Sequence, residues 1–132
     1  MKRIAWFFGI FLFLLVLGGG ILINHLAGMA QRFKVELSQS APVDLARIKN
    51  GTYSGNYGFF VVSVSLEVTV QDHKITKIVI LKENCGKGYE ALATIDRIIQ
   101  AQSPKVDAVT GASSSSRCIM IAVDRALHNA EH

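Results

Sequence analysis

The segment Asp107-Ala108-Val109-Thr110-Gly111-Ala112-Ser113-Ser114-Ser115-Ser116 holds the groups with the most evident chemistry in this chain. A Thr-Gly-Ala turn runs into four serines, and a segment of helical apolar spacing follows at once. Helix starts leave backbone N–H groups unpaired and carry a partial positive charge. Glycine and several hydroxyls at such a start make a site suited to a phosphate group. A capping serine accounts for one hydroxyl at this place. It does not account for four behind a Thr-Gly-Ala turn. Arg117, one turn on, either neutralises a phosphate or stays solvated.

Other elements must hold this segment in place. The closing helix is expected from about Ser114 to Ala130, with Ile119, Ala122, Val123, Ala126, Leu127 and Ala130 as its buried stripe. An earlier helix is expected over residues 89–102, burying Leu92, Ile95, Ile98 and Ile99, and Pro104 prevents its continuation. Upstream the pattern changes to period two. Val62, Val64, Leu66, Val68 and Val70 alternate with Ser63, Ser65, Glu67, Thr69 and Gln71, as in a strand with one buried and one wet face. Asp72-His73-Lys74 makes a tight turn into residues 75–82, a more continuously apolar strand whose composition predicts a central position. Residues 51–57 read as an opening strand, with Gly55-Asn56 and Tyr57-Gly58 marking turns or a bulge. Glu83-Asn84-Cys85-Gly86-Lys87-Gly88 is a glycine-punctuated loop, which permits close backbone approach to a ligand or simply turns the chain. The expected fold is α+β, an antiparallel sheet of at least three strands packed by two helices, preceded by one N-terminal transmembrane helix.

The hydroxyl segment resembles the Ser/Thr-Gly-Ala-Ser/Thr-x-Ser/Thr signature of the FMN-binding domain family. That family includes the flavin-carrying C subunit of the sodium-pumping NADH:quinone reductase and the G subunit of the Rnf complex. The resemblance covers residues 48–127 in the same order: a Gly-Thr-Tyr opening, a hairpin, a Gly loop, a helix, the signature and a closing helix. It implies FMN as cofactor, held by Thr110, Gly111, Ala112, Ser113, Ser114 and Ser115. Ser115 falls on the position where a flavin transferase joins FMN through a phosphoester, although the family usually has threonine there. The Gly loop resembles the family's Glu-Thr-Pro-Gly-x-Gly segment at Glu83, Gly86 and Gly88, which makes these residues the implied ring-side or ribityl wall. Asn84 and Cys85 depart from that pattern. Asp107 resembles an acidic residue preceding the signature, and either binds a metal during flavin transfer or caps a turn.

Residues 4–23 form a twenty-residue run without charge, rich in Leu, Phe and Ile. About 20 helical residues cross a hydrocarbon core ~30 Å thick. Lys2 and Arg3 precede the run, and the next charges are Arg32 and Lys34. The positive-inside rule then places the N-terminus in the cytoplasm and the rest outside. A cleaved secretory signal, cut after Ala30, is the competing reading, but the run exceeds a typical signal core. The expected organisation is an anchor over 1–23, a stem over 24–47 and the FMN-binding domain over 48–132.

Setting aside Lys2 and Arg3 leaves twelve of the 14 basic residues against 10 acidic ones, with no basic run suited to nucleic acid. His25, His73, His128 and His132 form no metal-binding pair, and His73 at a hairpin tip is expected in solvent. Cys85 and Cys118 allow one disulfide, or serve as small buried apolar residues, or share electrons with a flavin. No nucleophile–base–orienter set, Walker motif or carboxylate pair is evident. An electron carrier is therefore expected, with no catalytic residues of its own. Its implied partners are membrane lipid, the flavin transferase, and redox proteins or a quinone-linked membrane donor. The alternatives are a flavin-dependent redox sensor and a cofactor-free structural protein of the same fold.

Overall fold

A computed structural model describes the backbone of residues 2–59, 61–86 and 90–131, and the side chains of 6–7, 9–25, 27–28, 40–58, 61–86 and 90–131. The chain divides into two compact units, Met1–Val35 and Glu36–His132. Helix α1 (Lys2–Gln39) accounts for the first unit through residue 35, its last four residues being counted with the second, and it includes residues 24–39, most of the stretch whose composition reads as a stem. Its described apolar side chains are exposed, among them Trp6, Phe7, Phe11, Phe13 and Leu15. Among the described residues no helix is long and apolar enough to cross a membrane. The uncharged run includes Ile4, Ala5 and Phe8, whose side chains lie outside the described set.

The second unit is α+β. Its central strand is β2 (Val62–Gln71), where period-two alternation buries Val64, Leu66, Val68 and Val70. Strand β1 (Gly51–Phe59) pairs antiparallel with β2, from Gly51 opposite Val70 to Phe59 opposite Val62, without a register shift. Strand β3 (Lys74–Asn84) pairs antiparallel on the other side, in the order β1-β2-β3. The hairpin between β2 and β3 turns through Asp72 and His73, both left-handed at φ 51° and 60°. Two consecutive positive φ angles match the right-handed twist of flanking strands in a two-residue turn. The tip is secured from outside: Asp72 N–H donates to Asn50 Oδ1 at 2.9 Å, and His73 Nδ1 lies 3.2 Å from the Leu45 carbonyl. His73 is exposed, as its position in the sequence predicts.

The central position expected for residues 75–82 is not observed; β3 is an edge strand. The continuous apolar run has a different cause. Lys77 faces Thr69 while Ile75 faces Val70, which leaves Thr76 extra; Lys82 faces Ser65 while Ile80 faces Leu66, which leaves Leu81 extra. Each bulge shifts the alternation by one residue. Ile75 and Ile78 are therefore buried and Ile80 half-buried, while Val79 and Leu81 are exposed. The second shift also sets Glu83 opposite the buried Val64, on the inner face.

Helix α3 (Ser113–Ala130) lies across β1 and β2. The expected stripe is buried at Ile119, Ala122, Val123, Ala126 and Leu127, whereas Ala130 is half-buried. Cys118, Met120, Ile121 and Asp124 are buried as well. The close fit to β1 comes from Gly55. A Cβ at that position would collide with the Ala122 carbonyl oxygen and lie 2.9 Å from Ala126 Cβ. Gly55-Asn56 and Tyr57-Gly58 therefore mark neither turn nor bulge; β1 runs uninterrupted through them because α3 must approach there.

Helix α2 (Ala93–Ala101) sits against β3 and α3 and is shorter than the sequence predicts. Residues 90–92 are not helical, and Tyr89, the expected first residue, lies outside the described residues. Leu92 is consequently 56% exposed, and its expected burial is not met. Thr94 and Ile98, one helical turn apart, are fully buried instead, with Ile95 and Ile99 half-buried. The helix stops before Pro104, at a left-handed Gln102. Its side-chain amide accepts from Ile75 N–H at 2.8 Å and donates to the Ile75 and Ile99 carbonyls at 2.9 and 2.7 Å.

Candidate functional site

Residues 105–112 carry the chain from α2 to α3, and three side chains define their path. Arg97 on α2 donates through Nη1 to the carbonyls of Asp107 and Ala108 at 2.7 and 3.1 Å. Lys105 Nζ donates to the Ser40 carbonyl at 2.9 Å. Val109 to Ala112 then close a turn, with Ala112 N–H on the Val109 carbonyl at 3.0 Å and Gly111 at φ 82°. Positive φ at the third position of such a turn is the conformation that glycine adopts without steric cost.

Ser116 fastens this turn to the helix. Its fully buried hydroxyl donates to the Ala112 carbonyl at 2.9 Å and accepts from Val109 N–H at 2.9 Å. In the sequence Ser116 is indistinguishable from the serines before it, because four identical residues in a row carry no signal of which one turns inward.

The cap of α3 is Ala112, which offers no side-chain hydrogen bond. The serines are thus not a capping cluster; they occupy the first turn. Ser116 N–H bonds the Ala112 carbonyl at 2.9 Å, so the N–H groups of Ser113, Ser114 and Ser115 precede the first bond within the helix. Thr110 and Gly111 are exposed in the turn, Ala112 is buried, and Ser113 and Ser114 are exposed. These donors, left without a partner within the helix, fit a phosphate group together with the two exposed hydroxyls and the helix dipole. A groove of about 740 Å³ opens beside Thr110, lined also by Arg97, Lys105, Asp107 and Ala108. Asp107 has an exposed side chain, and its contribution here is the carbonyl that receives Arg97. Arg117 is half-buried.

Ser115 has different surroundings. It is 3% exposed, and its hydroxyl meets the thiol of Cys85 from the end of β3. Glu83 reaches the same place from the inner face of the sheet, and its Oε1 is buried without a hydrogen-bond partner among the described residues. An orphaned acceptor of this kind fits a donor supplied by a ligand. The Cys85 thiol is raised by burial and then by the adjoining Glu83 carboxylate, against an opposing contribution from Ser115. Cys118, one turn after Ser115, is pushed up to about 11 by burial, then by the charges of Cys85 and Glu83. Gly86 is exposed and left-handed at φ 78°, while Gly88 lies outside the described residues. The structure therefore brings Glu83 and Ser115 together around Cys85. The exposed serines and Thr110 stand apart from that cluster, toward solvent. Among the described residues no group of His, Cys, Asp and Glu side chains is arranged to hold a metal ion.

An antiparallel sheet backed by two helices, with three backbone N–H groups left without a partner within the helix at the start of the longer one, defines a small α+β domain. The sequence profile of the FMN-binding domain matches residues 62–128, just over half of the 132-residue chain. The protein belongs to the FMN-binding domain family, and FMN is its cofactor. Among solved structures, the CPE2226 protein from Clostridium perfringens shares this fold. The two are 24% identical, with a TM-score of 0.53 over 64% of this chain and 89% of the other. No curated protein matches the sequence significantly.

Proposed function

We propose that this protein is a membrane-anchored flavoprotein that carries electrons between a membrane donor and an acceptor outside the cytoplasm. The observation that carries the flavin part is the first turn of α3. There three N–H groups without a partner within the helix, and exposed Ser113 and Ser114, follow a Gly111 turn inside the family's matched segment. Those donors would hold the phosphate of FMN, with Thr110 beside them and Gly111 and Ala112 shaping the approach. Glu83, Gly86 and Gly88 would border the ribityl chain or the ring, where Glu83 Oε1, buried without a hydrogen-bond partner among the described residues, would accept a donor. FMN supplies reversible uptake of electrons and protons, while the protein supplies orientation and electrostatics.

The attachment proposed is a phosphoester at Ser115 Oγ, made by a flavin transferase. The tether would hold the flavin at high local concentration where a dissociated one would be lost. The uncharged run of residues 4–23, after Lys2 and Arg3, supports anchoring with the domain outside. A second reading, FMN docked without a covalent bond, is favoured by one observation: Ser115 is buried whereas Ser113 and Ser114 are exposed.

One experiment separates the readings. The full chain is co-expressed with a flavin transferase, beside Ser115→Ala, and intact mass and absorbance are recorded before and after denaturation. A mass gain of FMN less water, absent in Ser115→Ala, supports the tether. Colour lost on denaturation supports docking, and a colourless protein overturns both.

A further inference from the structure

Cys85 and Cys118 take no part in the function proposed above, yet they converge on its central residue. Both are free thiols, Cys85 half-buried and Cys118 buried. Cys85 follows β3, two residues after the inward-facing Glu83, and its thiol meets the Ser115 hydroxyl. Cys118 lies three residues after Ser115 on α3. Residues at that spacing are neighbours on a helix face, about 5–6 Å apart between Cβ atoms. Cys118 in turn responds to the charges of Cys85 and Glu83. Ser115 is thus bordered by one thiol from the loop and one from its own helix.

We propose that Cys85 and Cys118 form a disulfide across the flavin site, pinning the segment 83–86 to α3 over the Ser115 hydroxyl. The bond depends on the two thiols and on the extracytoplasmic placement proposed above; its meaning as a closure of the acceptor rests on the reading of Ser115 given there.

The oxidant is a small or protein disulfide, of the kind available outside the cytoplasm. The Cys85 thiolate, the less buried of the two, attacks one sulfur of that disulfide and displaces a first thiolate, which takes up a proton. Cys118 then loses its proton and attacks the Cys85 sulfur of the mixed disulfide, displacing the second. Two cysteine thiols become one disulfide, and the oxidant becomes two thiols. Burial and the carboxylates of Glu83 and Glu90 keep Cys85 protonated, while burial, Cys85 and Glu83 do the same for Cys118. The bond therefore forms slowly at neutral pH. Once formed it resists reduction, because thiolates of high pKa are poor leaving groups. Flavin transfer must precede oxidation, since Ser115 is already 3% exposed with the thiols reduced and a crosslink removes the remaining freedom of the segment above it.

The test uses the full chain in detergent micelles, treated with oxidised glutathione and then blocked with N-ethylmaleimide. The expected result is loss of two hydrogens, no maleimide label, and, in a non-reducing peptide map, a pair of peptides joined through Cys85 and Cys118 that dithiothreitol separates. Amide exchange at residues 113–116 should slow by roughly tenfold on oxidation. The oxidised protein should accept no flavin from the transferase, while the reduced protein and Cys85→Ser with oxidant accept it equally. Two maleimide labels, or glutathione retained on Cys85 alone, overturn the proposal by showing Cys118 out of reach. A crosslink that leaves both exchange and flavin loading unchanged overturns the closure. If neither redox form takes flavin, the tethered reading fails, while the joined peptides and the exchange rates still decide this inference.

Discussion

The middle and the start of α3 are two regions of one helix under opposite demands. Between Cys118 and Asp124 every residue is buried, seated on β1 and β2 where Gly55 lets the backbones meet. At the start, Ser113 and Ser114 are exposed and three backbone N–H groups have no partner within the helix. The middle is packed on both sides of its length, and the start is left open, as the proposed FMN site requires. Every helix start leaves such donors, but they present a precise site only where the start is held in place. Here the seat at Gly55 and the Ser116 bonds to the preceding turn hold it.

The largest expected effect breaks the seat. Gly55→Ala forces a methyl against the Ala122 carbonyl and should cost about 3 kcal/mol or more. Thermal unfolding of the full chain in detergent would show it, and an unchanged midpoint would mean that β1 and α3 separate without penalty. The next effect comes from the middle of the helix at alkaline pH. The Cys118 thiol is raised from 9.0 to about 11, so above 9 the unfolded chain loses a proton that the folded chain keeps. Stability contributed by the protonated thiol is complete below pH 9 and falls as pH rises toward 11, by roughly 2.5 kcal/mol. Cys118→Ala should flatten that part of the pH profile, and a profile identical to that of the native chain would contradict the assignment.

Effects at the start of the helix should be smaller on stability and larger on FMN. Ser116→Ala strips Val109 N–H and the Ala112 carbonyl of a partner and should cost about 2 kcal/mol. The fraction of protein that takes up FMN should fall with it, read from absorbance and intact mass, since the turn that presents Ser113 is no longer fastened. Gly111→Ala has open space for its methyl but a φ of 82°, so only the backbone penalty of about 1 kcal/mol is expected. A cost as large as that of Gly55→Ala would mean that the two regions do not differ in the way described.

Period-two alternation made β2 readable residue by residue, because one face of a strand is buried at every second position. The closing helix was readable for the same kind of reason at helical period. Strand β3 misled, since bulges at Thr76 and Leu81 distribute its apolar residues over both faces of an edge strand. Leu92 misled because its helix begins only at Ala93. Of the candidate site, the local structure was legible: Thr110 to Ser115 lie where a turn meets a helix start. Its internal division was not. Nothing in four consecutive serines marks Ser116 as the fastener, Ser115 as buried and Ser113 and Ser114 as open.

By itself the sequence determined the periodicities, the turn before α3 and the family signature, all of which depend on neighbours within a few residues. The tertiary structure alone decided which strand is central, which glycine carries the helix and which residues face Ser115. Those outcomes depend on surfaces brought together from distant parts of the chain. Gly55 meets Ala122, and Cys85 meets Ser115, only after the sheet and α3 have packed.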